Sequence, residues 1–245
     1  MIKDFFKQHP AAFWLAIVVG LIYIAPNIFF MLSLGDEYKG IPMMQSANEE
    51  SYLARIHEIV DGHPTLGSFA LWEYKGEWPI APPIGEMFYA IPSIVFGTSP
   101  QNIVIASRFF LPFVLFLLIY FLIMRLTVAD VPLLSHKINA IAGALLITLG
   151  YDLVDYRTLL LWAMGDMGPG GFLIWARPVN PILGALFLMS FLFFIWRIIQ
   201  EKASKKTIAG ASFFLALMIM SYFFSWGIAV SISAILILIY SLKRN

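Results

Sequence analysis

The sequence predicts an all-α polytopic membrane protein, and its hydropathy, its charge density and the length of its apolar runs carry that prediction. Of 245 residues, 60% are hydrophobic and only 13% are charged, against about 25% charged in an ordinary soluble domain. The mean hydropathy is +0.81. With 22 Phe the chain is not of the disordered class. A formal net charge of +1 offers no basic field for nucleic acid. The absence of cysteine excludes disulfides, thiolate metal sites and cysteine nucleophiles. Chemistry is therefore expected in the few polar stretches between spans.

A spanning helix needs about 20 mostly apolar residues, because hydrocarbon offers backbone groups no partner outside the helix. Ala11 to Leu34 meets this as a retained first span containing Pro26, and Ile103 to Met124 is the second. Ile138 to Tyr151 reaches a usable length by borrowing from Val131 onward or by running on through Val154. Asn180 to Ile199 is a further span, and Thr207 to Leu242 holds two short antiparallel spans turning near Tyr222 to Trp226. The expected total is about six spans, in one membrane module covering residues 1–245.

Lys and Arg concentrate in short cytoplasmic segments. Six spans with both termini cytoplasmic put ten of the sixteen basic residues inside and leave twelve of the fifteen acids outside. Two outer loops then hold most of the polarity: a long first loop of about residues 35–102 and a second of about 152–179. Within the first, Ile84 to Phe96 is too short to cross and is expected as a juxtamembrane or re-entrant helix.

Ser46 to Gly62 reads as an amphipathic helix. Ser46 and Glu49 have capping-box spacing, while Gly62 and Pro64 stop the helix. Tyr52, Leu53, Ile56, Ile59 and Val60 form its apolar side. Glu49 and Glu50 sit at its N-terminus, where carboxylates gain from the helix dipole whatever else they do.

The stretch NEESYLARIHEIVDGHP resembles the acidic motif of the GT-C superfamily of membrane glycosyltransferases, in the branch of the lipid A aminoarabinose transferases and protein O-mannosyltransferases. Downstream, WPIAPPIGEMFYAIPSIVFGTS is similar to that branch's Pro-Pro segment, juxtamembrane helix and Phe-Gly turn, and Arg108 matches the Arg that opens the second span. The likeness covers roughly residues 11–126. It implies transfer of a sugar from a polyprenyl-phosphate carrier to an acceptor on the outer face, with membrane lipid and the lipid-linked sugar as partners. One departure is that Asn48 stands where the family carries Asp, and an amide cannot act as a base. Glu50, Glu49 and Asp36 are the alternative catalytic carboxylates. A degenerate, non-catalytic binder of lipid-linked sugar is the alternative reading of the whole chain.

Such a transfer needs a carboxylate for the acceptor's proton and cations for the departing phosphate. Arg108, Arg157 and Arg177 lie near the outer interface, and a guanidinium suits bidentate phosphate contact. Arg108 also suits snorkelling from its span, and Asp155 with Arg157 suits a local ion pair. Tyr52 follows the acids and completes the substrate-side set. Pro178 and Pro181 predict a fixed turn aiming Arg177. A divalent cation held by Asp36, Glu49 or Glu50 is an open alternative that no spacing specifies, and His57 and His63, six apart, do not share a helix face for zinc. The run GDMGPGGF at 165–172 lacks the Lys of a nucleotide-binding loop and reads as a flexible outer loop. A transporter is disfavoured, because the spans keep their ionisable residues at the ends.

Overall fold

The computed structural model describes residues 8–44, 48–65, 71–74, 77–78, 82–126, 132–154, 164, 173–200 and 203–243. Eight α-helices are described: α1 (Pro10–Leu34), α2 (Glu49–Val60), α3 (Ile84–Phe96), α4 (Pro100–Leu126), α5 (Leu133–Val154), α6 (Ile182–Gln200), α7 (Lys205–Ile219) and α8 (Phe223–Lys243). Short 3-10 turns follow α1 and precede α6, and no strand occurs among the described residues. Five helices, α1, α4, α5, α6 and α8, are long and apolar enough to cross a membrane. The chain is thus an integral membrane protein. Helix α7 has 15 residues, about 22 Å at 1.5 Å per residue, and falls short of the five.

The boundaries have local causes. α3 occupies the short apolar stretch of the first loop and ends at Gly97, whose φ of 60° is the left-handed conformation that closes a helix without a Cβ penalty. There Thr98 N–H donates to the Ser93 carbonyl at 3.1 Å. α2 stops before Gly62 in the same way, with His63 N–H donating to the Glu58 carbonyl at 2.8 Å. α5 takes both extensions open to the weak span, beginning at Leu133 and running to Val154. α7 opens on a capping box made by Ser204 and Thr207.

Two boundaries differ from expectation. α2 begins at Glu49 rather than Ser46, because Asn48 is left-handed (φ 69°), a conformation that cannot continue a helix. The expected cap, Ser46, lies outside the described residues. The turn between α7 and α8 falls at Met220 to Tyr222, where the N–H groups of Ser221 and Tyr222 both return to the Met218 carbonyl. Phe223 to Trp226 are already helical.

α1 packs along α4 with Ala12, Ala16, Val19, Gly20 and Tyr23 buried, and the Tyr23 hydroxyl donates to the Thr148 carbonyl of α5. Small residues allow close helix approach where lipid gives no hydrophobic drive. A Cβ on Gly20 would fall 2.8 Å from both the Phe109 ring and its carbonyl. Leu115, Phe116, Ile119 and Tyr120 of α4 and Ile182, Leu183, Phe187 and Phe191 of α6 continue the core, while large side chains such as Phe29, Leu32, Leu146 and Ile237 are exposed, as lipid-facing positions should be. α2 lays Ile56 and Ile59 into this core at one end of the bundle. At α1's N-terminus, His9 Nδ1 meets the Tyr120 hydroxyl at 2.8 Å and Lys137 Nζ donates to the Gln8 carbonyl at 2.7 Å.

Candidate active site at the end of the bundle

Four segments distant in sequence converge on a cavity of about 300 Å³: α2 and the residue before it with Asn48, Ser51, Tyr52 and Arg55; α3 and the segment before it with Glu86 and Pro82; the turn before α6 with Arg177, Val179 and Asn180; and Ser221 between α7 and α8. The α2 residues recur at spacings of three and four, so one helical face lines the cavity.

Two ion pairs fix this arrangement. Arg108 of α4 donates through Nη2 to Glu49 Oε2 at 2.7 Å and through Nη1 to the Met43 carbonyl at 2.8 Å. Both side chains of the pair are only 1% exposed, so it ties the α2 N-terminus and the segment before it to α4, sealed from solvent. On the cavity wall, Arg55 Nε donates to Glu86 Oε1 at 2.7 Å. Glu86 is 4% exposed and is the carboxylate lining the cavity among the described residues.

The third wall is a strained turn. Asn180 N–H donates to the Pro178 carbonyl at 2.8 Å, closing a γ-turn on Val179, whose φ is 64°. A positive φ at a β-branched residue is an outlier worth about 1–3 kcal/mol of strain, and such strain marks places where the surroundings over-determine the backbone. Here the Val179 N–H donates to the Tyr89 hydroxyl at 3.0 Å, and the Val179 side chain lies over Gly85, where a Cβ would come within 2.5 Å of it. Tyr89 is buried, and burial pushes its phenol up to about 12, so it stays neutral as acceptor for that N–H. This is the fixed turn that Pro178 and Pro181 predict, and it presents Arg177 and Asn180 together.

Three polar atoms of the cavity are buried without a hydrogen-bond partner: Arg177 Nε, Asn180 Oδ1 and Ser221 Oγ. Arg177 lies over the Tyr52 ring, 5.3 Å from its centroid, which holds the guanidinium plane. Buried polar atoms are ordinarily satisfied, so these three stand out among the residues that line the cavity. Two apolar grooves of about 350 and 330 Å³ flank α3 and share Phe88 and Pro92, which lie on the side of that helix away from Glu86.

The residues singled out from sequence separate into groups. Arg177 and Tyr52 face the cavity together. Glu49 and Arg108, expected as base and phosphate ligand, are bonded to each other. Glu50 is exposed and lies across α2 from the cavity-lining residues, and Asp36 is exposed in the turn after α1. Asp155, Arg157 and the glycine-rich run 165–172 lie outside the described residues. Asp36, Glu49 and Glu50 are not gathered into a cation-binding set, and no group of three or more His, Asp and Glu that could hold a metal ion occurs among the described residues. Asn180 and Ser221 carry no motif, and Glu86 stands in the stretch WPIAPPIGEMFYAIPSIVFGTS without having been singled out there. A local signal for Glu86 was its place as a lone carboxylate in an otherwise apolar 13-residue helix, where an acid calls for a partner or a purpose.

Comparison with protein-family models, with curated proteins and with solved structures gives no match to this chain.

Proposed function

We propose that this chain is a membrane glycosyltransferase of the GT-C kind, moving a sugar from a polyprenyl-phosphate carrier to an acceptor at the outer face. The observation that carries this reading is the cavity itself: two guanidinium groups, Arg55 and Arg177, and one carboxylate, Glu86, share a polar recess in a protein with five helices long and apolar enough to cross a membrane. A phosphate-linked sugar needs cations, hydrogen-bond donors and a base in one place, and its prenyl chain needs an apolar medium, which the membrane around the spans supplies. In this reading α7 is a short sixth crossing, both termini are cytoplasmic, and the cavity opens to the outside, in accord with the ten basic residues that topology leaves inside.

Arg177 takes the phosphate oxygens, its Nε being buried without a partner. Glu86 accepts the acceptor's proton as the acceptor atom attacks the anomeric carbon. The bond from that carbon to the phosphate oxygen breaks with its electron pair staying on the phosphate, which Arg177 stabilises. Arg55 orients Glu86 through its 2.7 Å bond. A second reading, a binder of lipid-linked sugar without turnover, is favoured by one observation: Glu49, in the family's acidic motif, is engaged by Arg108.

The test is transfer by the purified protein in lipid nanodiscs, supplied with polyprenyl-phosphate sugars. Turnover lost in Glu86→Gln with donor binding kept supports the transferase. Binding without turnover in the wild type moves the assignment to the second reading, and absence of binding to any carrier removes both.

A further inference from the structure

The three unpartnered atoms of the cavity differ in chemistry, and that difference specifies the ligand. Arg177 Nε can only donate, Ser221 Oγ can donate or accept, and Asn180 Oδ1 can only accept. The orientation of the Asn180 amide is fixed by its own contact, since Nδ2 donates to the Ser221 carbonyl at 3.3 Å and an oxygen turned to that carbonyl would face another acceptor. Oδ1 is therefore the atom buried without a donor. An ionised phosphate diester satisfies Arg177 but has no hydrogen to give Asn180. A ligand that satisfies all three atoms carries an anionic oxygen and, a few bonds away, a hydroxyl or amino group.

We infer that Asn180 and Ser221 form a subsite that reads a hydroxyl or amino group on the sugar of a glycosyl phosphate, adjoining the Arg177 contact to its phosphate. The inference rests on the glycosyl-transfer reading of the cavity and assigns its sugar specificity to the turn before α6 and the turn between α7 and α8. The two turns are held as one unit, because Asn180 is both the reading residue and the donor that binds Ser221's backbone. The γ-turn on Val179 lies between Arg177 and Asn180, which line the same cavity. The same chemistry occurs in a lipid-linked and in a nucleotide-linked sugar, and the membrane setting of a chain with five long apolar helices favours the lipid-linked one.

Ser221→Ala gives a clean test, because Ser221 Oγ bonds nothing in the protein and its removal leaves no new orphan. The protein in nanodiscs would be titrated with a polyprenyl-phosphate hexose, with bare polyprenyl phosphate and with a UDP-hexose. The wild type is expected to prefer the hexose-bearing lipid over the bare carrier at least about tenfold, since each satisfied hydrogen bond is worth roughly a factor of ten. Ser221→Ala should cut that preference about five- to tenfold while leaving bare-carrier binding and thermal stability unchanged. Arg177→Gln should weaken both lipids alike. An undiminished preference in Ser221→Ala, with the wild type still binding and transferring the hexose, overturns the subsite and leaves the transferase standing. Equal wild-type affinity for the bare and hexose-bearing carriers also overturns it. UDP-hexose bound as tightly as the lipid, and weakened by Ser221→Ala, supports the subsite and overturns the lipid-carrier reading. No binding of any probe overturns both.

Discussion

Helix α2 sends out two Arg–carboxylate pairs of the same length that sit in opposite environments. Glu49 meets Arg108 at 2.7 Å with both side chains 1% exposed, and Arg55 meets Glu86 at 2.7 Å with 22% and 6% exposure. The first is enclosed and also anchors the Met43 carbonyl; the second forms part of a cavity wall. Two charges taken fully out of water depend on each other, whereas a pair at a cavity edge can share its charges with a ligand. Burial, not chemical type, separates a clamp from a site.

The contrast is broken or sharpened most strongly at the enclosed pair. Arg108→Ala leaves the Glu49 carboxylate buried without its guanidinium and should destabilise the protein by about 3–5 kcal/mol, whereas Glu49→Leu with Arg108→Met should recover most of that loss. Thermal unfolding in nanodiscs measures both, and a single-variant loss under about 1 kcal/mol would show that the pair is no clamp. Tyr89→Phe comes next, at about 1–3 kcal/mol, because it leaves the buried Val179 N–H without its acceptor. It should also weaken donor binding by loosening the turn that carries Arg177 and Asn180, so unchanged affinity would uncouple turn from site. Glu86→Gln keeps shape and a hydrogen-bond acceptor for Arg55 but removes the charge from a carboxylate only 4% exposed; it should cost about 1–2 kcal/mol, yet lower transfer by 10²-fold or more, on the order of a general base's contribution. Turnover at wild-type rate in that variant would return the base to another carboxylate. Smallest is Glu50→Gln. On the exposed side of α2 it should shift stability by less than about 0.5 kcal/mol and leave transfer kinetics unchanged.

How much of this was legible in the chain depends on the range of the interaction involved. Ile84 to Phe96 could be bounded as a short helix because a Pro pair before it and a Gly after it act within a turn of backbone, and α3 has those bounds. The apolar side of α2 followed from spacing, and Ile56 and Ile59 are buried. Pro178 and Pro181 marked the turn that aims Arg177. The start of α2 was misjudged because capping-box spacing says nothing of the φ at Asn48, which is left-handed. The Glu49–Arg108 bond joins residues 59 apart, Arg55–Glu86 joins residues 31 apart, and Ser221 meets Asn180 across 41. No local pattern reports such pairings.

By itself the sequence determined that this is a helical membrane protein, roughly where its helices lie and which stretches carry its polar chemistry, because hydropathy, helix periodicity and Gly and Pro punctuation act on neighbouring residues. Tertiary structure alone decided which carboxylate lines the cavity and which is sealed inside an ion pair. It also decided that Arg177, Asn180 and Ser221 share a wall. The physical reason is that hydrogen bonding and desolvation act over a few ångströms of space, and packing, not sequence separation, sets which side chains come that close.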